Sequence, residues 1–282
     1  MRKDAAATSK AAKKPGAAQE TGEIFKTVFY ALLIALIIRT VLFQPYTIPS
    51  ASEEPNLYQG DYIIVSKWSY GYSRHSILFS PPIFKGRIFF RPPTRGDIIV
   101  FKLPRDGHTD YIKRLIGMPG DHIQMRAGQL YINGRALPEM PVKTVIAHDH
   151  GYPEKVTWVQ ETNPEGRQYV TQIHGMNEPA DNTGIYVVPP RCYFMMGDNR
   201  DNSEDSRFDP GLPPEDPKLG GCGWDSQLDS AVGAETGVGF VPEDNLVGKA
   251  QIVMLSWHEN ASILKPWTWF DLRTDRFLRL LK

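Results

Sequence analysis

Cysteine is almost missing from this 282-residue chain: only Cys192 and Cys222 are present. That excludes a metal site of the Cys-x-x-Cys kind. Two readings stay open, one disulfide in an oxidising compartment or two inert thiols. Net charge is missing too, with 32 Lys+Arg against 32 Asp+Glu. Nucleic acid is therefore not an expected partner, because it would need a basic surface. Long helical periods are scarce beyond the N-terminal fifth. The 23 prolines and 24 glycines call for many turns, and a hydrophobic content of 41% is enough for a real core.

One long apolar run stands out. Residues 28–38 are continuously apolar, Arg39 and Thr40 interrupt, and Val41-Leu42-Phe43 resume before Pro45. From Ile24 onward this is long enough to span a hydrocarbon core, with Lys26 and Arg39 placed to snorkel. A cleaved secretory signal should end in small residues, and here Phe43-Gln44-Pro45-Tyr46 follows instead. The run is read as an uncleaved anchor over 24–44, behind a basic, Ala-rich cytoplasmic tail over 1–23. The basic tail places residues 45–282 on the far side of the membrane.

The stretch Asp110-Tyr-Ile-Lys-Arg-Leu-Ile-Gly-Met-Pro-Gly-Asp121 reads as a strand ending in a turn. Alternation puts Lys113 on one face between Tyr111 and Leu115, and Arg114 on the other between Ile112 and Ile116. A lysine among apolar neighbours loses its proton more readily and can serve as a general base. The plainer reading is a sheet-edge lysine with its ammonium in water. Further strands are expected at Tyr62–Val65, Gly96–Lys102, Tyr193–Asp198 and Val247–Leu255. A hairpin is expected at Leu130–Arg135 on an Asn-Gly turn. Residues 136–190 show short strand-like pieces, and 209–238 look like a Gly/Pro/Asp-rich insertion. His148-Asp149-His150 reads as a solvated loop rather than a metal site. The acidic stretch from Asp201 fails as a calcium loop, with Ser206 where glycine belongs and Leu212 where glutamate belongs. The aromatics Trp68, Tyr70, Tyr72, Phe79, Phe84, Phe89 and Phe90 are either core or membrane-interfacial. Trp267, Trp269 and Phe270, with Arg273, Arg276 and Arg279, either meet the membrane surface or pack on the sheet.

Four segments in order behind the anchor, Tyr46–Leu57, Gly96–Asp121, Gly197–Arg207 and Gly239–Ala250, resemble the bacterial type I signal peptidases. These are membrane-anchored proteases of the Ser–Lys dyad kind. The resemblance covers little of 136–190 and none of 209–238. It implies a mostly β fold, coiled antiparallel sheets behind one N-terminal transmembrane helix, with no cofactor and no metal. The implied location is the bacterial inner membrane, single-pass, with the catalytic domain periplasmic. The implied partners are preprotein signal peptides and membrane lipid. On matching positions it implies Ser52 as nucleophile and Lys113 as base, acting without a histidine. Ser50 and the Ser52 backbone N–H would stabilise the oxyanion, and Ser203 would hydrogen-bond and orient the lysine. Arg114 with Asp198, and Asp205 with Arg207, would be structural ion pairs. Tyr46, Ile48, Leu57, Val100, Tyr111 and Ile112 would line shallow pockets that select a small-x-small site.

One departure stands out. The family usually has methionine after the nucleophile; here Ser52 is followed by Glu53 and Glu54 before Pro55. A carboxylate there could pair with Lys113 and keep it protonated, point to solvent, or reshape a pocket. The first of these leaves open a catalytically impaired homologue that only binds exported segments.

Overall fold

The structure, a computed structural model, describes residues 17–149, 152–175, 178–223, 237–258, 261 and 265–281. The chain falls into two compact units, one ending at Arg39 and one running Thr40–Lys282. The first carries the helix α1 (Ala17–Ile37). With the wider turn that follows, Thr21–Leu42 is long and apolar enough to cross a membrane. This apolar helical stretch runs to Leu42. Phe43 and Gln44 already belong to a strand, because Pro45 cannot donate within a helix and disfavours helical backbone just before it.

The second unit is mostly β. In chain order its strands are β1 (Phe43–Thr47), β2 (Asp61–Ser66), β3 (Ile98–Lys102), β4 (Asp110–Gly117), β5 (His122–Arg126), β6 (Gln129–Ile132), β7 (Arg135–Ala136), β8 (Glu139–Asp149), β9 (Tyr152–Thr162), β10 (Gln168–Ile173), β11 (Tyr186–Val187), β12 (Cys192–Met196), β13 (Val241–Pro242), β14 (Leu246–Ser256) and β15 (Arg279–Leu280). The main sheet has the order β1-β2-β14-β3-β4-β12-β13, with β15 added on β14. All of these pairings are antiparallel. Two smaller sheets run β10-β9-β8 and β11-β5-β6-β7.

β3 and β4 sit in the middle of the main sheet, so both their faces are covered. Ile98 and Val100 enter a core with Ile48, Leu57, Ile63 and Val65. Ile99 and Phe101 enter the opposite one with Tyr70, Leu115 and Met195. The register pairs Ile99 with Lys113 and Ile98 with Arg114, which puts the lysine and the arginine on opposite faces, as alternation requires. Lys113 is buried, so the water-exposed edge lysine is ruled out.

The Asn133-Gly134 turn joins β6 to β7 with both residues at positive φ, the left-handed backbone those two residue types tolerate. The short pieces foreseen over 136–190 are longer than expected: β8 and β9 form a ladder of eleven residues each. The described side chains of β8, Glu139 to Ile146, are exposed except for the half-buried Val145, so no apolar/polar alternation marks that strand in the sequence. His150 lies outside the described residues, as does 224–236 of the suspected insertion. Cys192 and Cys222 form a disulfide. The aromatic stretch splits: Tyr70 is core and donates to Asp97 Oδ2 at 3.0 Å, whereas Phe79 and Phe89 are 87% and 80% exposed. The C-terminal arginines do not act together as a surface patch. Arg276 is buried and paired with Asp61 Oδ2 at 2.5 Å, and Arg273 Nη1 donates to the carbonyls of Gln59 and Trp257.

Candidate active site

Ser52 lies in the turn region between β1 and β2. The turn is closed by the N–H of Glu54 on the carbonyl of Ala51, and by the N–H groups of Asn56 and Leu57 on that of Glu53. Leu57, fully buried, pins the far end of the turn into the core. On the other side, Asn199 donates its backbone N–H to Ser52 O at 3.1 Å and its side-chain Nδ2 to Ala51 O at 3.2 Å. The Ser52 turn is thus held from two directions.

β4 brings Lys113 underneath. Its Nζ donates to Ser52 Oγ at 2.5 Å, and both side chains are buried. Burial pushes the Lys113 amine below its ordinary value, against the pull of the Glu53, Asp205 and Asp198 carboxylates, which act the other way. Tyr111, one place along the same face, puts its ring centroid 5.8 Å from Nζ. A neutral amine in hydrogen-bond contact with a serine hydroxyl can take the hydroxyl proton, the requirement for a nucleophile activated by an adjacent base.

Ser50 Oγ lies 3.4 Å from Ser52 Oγ. Ser203 is placed differently from expectation. Its hydroxyl is buried but makes no hydrogen bond to Lys113 or to any other described residue. It sits against Gly197, where a Cβ would fall 2.2 Å from Ser203 Oγ and 2.5 Å from Ser52 O. The lysine's hydrogen bond goes to Ser52 instead, which leaves the Ser203 hydroxyl beside the dyad without a partner.

The four charged residues expected to support the site are arranged as two buried pairs. Arg114 Nε and Nη2 meet Asp198 Oδ1 and Oδ2 at 2.6 and 2.7 Å. Arg207 Nε and Nη2 meet Asp205 Oδ1 and Oδ2, each at 2.9 Å. Burial alone would raise the Asp205 carboxyl, but Arg207 outweighs it and holds the group below its usual value. Asp198 also accepts from Asn56 Nδ2 at 2.8 Å, tying the ion pair to the Ser52 turn. Of the six expected pocket residues, Tyr46, Ile48, Leu57, Val100 and Ile112 fall in one apolar cluster. Tyr111 packs on the neighbouring one. Asn56, Asn199 and Gly197 were not singled out in the sequence, although each lies inside or beside a quoted motif. Among the described residues, no group of His, Cys, Asp or Glu is arranged to hold a metal ion.

Glu53 neither points to solvent nor lines an open pocket: it is fully buried. Its Oε1 lies 4.0 Å from Lys113 Nζ.

Residues 21–257 match the family described as signal peptidase, peptidase S26. The chain is 36% identical over 277 residues to a signal peptidase I of Rickettsia typhi, covering 92% of each chain. It is also 36% identical over 271 residues to one of Rickettsia felis, covering 89% of this chain and 90% of that one. Among solved structures, a signal peptidase I crystal structure from Enterococcus faecalis V583 is 23% identical, with a TM-score of 0.27. It covers 56% of this chain and 97% of its own.

Proposed function

The chain belongs to the signal peptidase family, peptidase S26, and on that premise we propose that Ser52 and Lys113 are the dyad with which it removes signal peptides from exported preproteins. The observation that carries the assignment is the 2.5 Å contact between Lys113 Nζ and Ser52 Oγ, buried between β4 and the Ser52 turn.

In this reading Lys113 takes the Ser52 hydroxyl proton as Oγ attacks the scissile carbonyl. The tetrahedral oxyanion is held by the Ser50 hydroxyl and the Ser52 backbone N–H. As the intermediate collapses, the C–N bond breaks and the Lys113 ammonium returns its proton to the leaving amine, which is the new N-terminus of the mature protein. An ester links Ser52 to the signal peptide. Lys113, neutral again, takes a proton from water as that water attacks the ester. The second collapse returns the proton to Ser52 Oγ and releases the signal peptide as an acid. Arg114, Asp198, Asp205 and Arg207 hold the loop after β12 against the dyad.

Tyr46, Ile48, Leu57, Val100 and Ile112, in one apolar cluster, and Tyr111, packed on the neighbouring one, would line shallow pockets. Shallow pockets fit small side chains, in keeping with small-x-small cleavage sites and with an extended substrate adding as a strand.

The apolar helix supports membrane anchoring. A cytoplasmic N-terminus and a periplasmic catalytic unit at the inner membrane are the reading supported by the basic tail and by the Cys192–Cys222 disulfide, a bond that persists in oxidising compartments.

The test is cleavage of a labelled preprotein by the detergent-solubilised chain. Cleavage after a small-x-small site should fall by ~10³-fold or more in both Ser52→Ala and Lys113→Ala. Cleavage that survives either substitution overturns the dyad.

A further inference from the structure

Glu53 is the acid that the mechanism above does not use. It follows Ser52 directly, is fully buried, and neither carboxyl oxygen has a hydrogen-bond partner among the described residues. Its Oε1 stands 4.0 Å from Lys113 Nζ, outside hydrogen-bond reach. Four charged groups face it from the packed elements: Lys113 and Arg114 from β4, and Asp198 and Asp205 from the loop that follows β12. Asp198 and Asp205 are each already held by an arginine, Arg114 and Arg207. Among the described residues, no arginine donates to Glu53.

An ionised carboxylate in this position would have lost its water without gaining a donor, a costly state for a buried charge. Burial, reinforced by Asp198, pushes the Glu53 carboxyl well above the usual carboxylate range, while Lys113 and Arg114 pull the other way more weakly. The uncharged acid avoids the cost, and it also takes from Lys113 the carboxylate charge that would do most to keep it protonated.

We propose that Glu53 is held as an uncharged carboxylic acid and that its carbonyl oxygen accepts a hydrogen bond from Lys113 once the lysine has taken the serine proton. Glu53 is then a positioning residue for the transient ammonium, acting where the family usually places methionine. The proton balance is simple: the serine proton moves to Lys113 and on to the leaving amine, and the Glu53 proton stays where it is.

The proposal rests on the Ser52/Lys113 assignment and is tested through the acidic limb of the kcat/KM profile, the limb on which Lys113 loses its proton. Glu53→Gln keeps both the neutrality and the carbonyl acceptor, so its limb should stay within about 0.3 pH unit of wild type. Glu53→Met removes the acceptor, disfavours the ammonium, and should move the limb to lower pH by about one unit. It should also lower kcat by roughly tenfold, the scale of a hydrogen bond to a charged group. A full charge at 4.0 Å would instead be worth on the order of 3 pH units at an effective dielectric of about 20, and Glu53→Gln, which removes it, would then move the limb acidward by most of the shift seen in Glu53→Met. That outcome overturns the proposal, as do two variants that both keep the wild-type limb and kcat. If Glu53→Met fails to fold, the infrared difference spectrum of wild type minus Glu53→Gln at neutral pH decides. A protonated carboxyl band supports the proposal, and a carboxylate band alone overturns it. Failure of the dyad itself looks different, because cleavage would then survive Lys113→Ala.

Discussion

Asp198→Asn tests whether the site depends on paired buried charge. Asp198 and Arg114 are essentially inaccessible to solvent and meet through two bonds of 2.6 and 2.7 Å. The substitution keeps the side-chain shape but removes the negative charge, and it sets an amide against donors that already point inward. A buried guanidinium left uncompensated costs about 3–5 kcal/mol. At about 2–4 °C per kcal/mol for a chain of this size, the thermal midpoint should fall by roughly 6–20 °C. The assay is thermal unfolding of the detergent-solubilised chain followed by circular dichroism. Replacing both partners, Arg114→Met with Asp198→Leu, removes the orphaned charge and should recover most of the loss. The pH behaviour should move as well. The Asp198 carboxylate favours the Lys113 ammonium, so its loss lowers the Lys113 value and shifts the acidic limb of activity to lower pH. A midpoint within ~2 °C of wild type for Asp198→Asn, or a double variant no more stable than the worse single one, would refute the reasoning.

Two further outcomes follow from buried groups. Burial holds the Lys113 value below that of an exposed amine, so the folded chain binds fewer protons than the unfolded one. That stability cost is complete below the folded value and disappears as pH rises past the unfolded value of about 10.4. Lys113→Met should therefore melt higher than wild type at neutral pH, lose that advantage by about pH 11, and have no activity; a lower melt at neutral pH counts against the linkage. The Cys192–Cys222 bridge closes a separation of 30 residues, so Cys192→Ala with Cys222→Ala should cost about 3–4 kcal/mol in denaturant unfolding. Equal midpoints for wild type with and without reductant would show that the bridge contributes nothing.

How much was legible in the sequence depended on whether the signal was local. The Asn133-Gly134 turn was readable because both residues tolerate positive φ, and the chain uses both there. The opposed faces of Lys113 and Arg114 were readable because strand alternation needs only neighbours. The placement of Glu53 was not. Its identity posed the question, but whether it faced solvent or the dyad depended on the fold of a turn closed by Asn199, far along the chain. The pairing of Asp61 with Arg276 and of Glu161 with Arg200 left no sequence signal, because an acid and an arginine distant in the chain share no periodicity. The length of β8 was hidden for the opposite reason: with nearly all its described side chains exposed, little constrains the pattern from which a half-buried strand is recognised. Ser203 shows a third limit. Resemblance put it beside the lysine, and packing against Gly197 left its hydroxyl without the expected bond.

The chemistry of the buried charges follows a division between arginine and lysine. Around the site, the pairs Arg114–Asp198, Arg207–Asp205 and Arg200–Glu161 each join one acid to one guanidinium. A guanidinium does not give up its proton in a protein, so these pairs are permanently charged, and their forked geometry makes them rigid. Arg114–Asp198 ties the loop after β12 to β4 and, through Asn56, to the Ser52 turn, Arg200–Glu161 ties it to β9, and Arg207–Asp205 closes within it. The cation left over is a lysine, the type whose charge burial can remove, and it donates to the Ser52 hydroxyl. The acid left over is Glu53, whose charge burial also suppresses. Fixed charges therefore hold the geometry, and the two groups able to change protonation sit together at the nucleophile. Exchanging the two cations would put a permanent charge where a proton must move, and a removable one where the frame has to stay rigid. Net composition cannot show this sorting, because the same counts of arginine, lysine and acid would serve either arrangement.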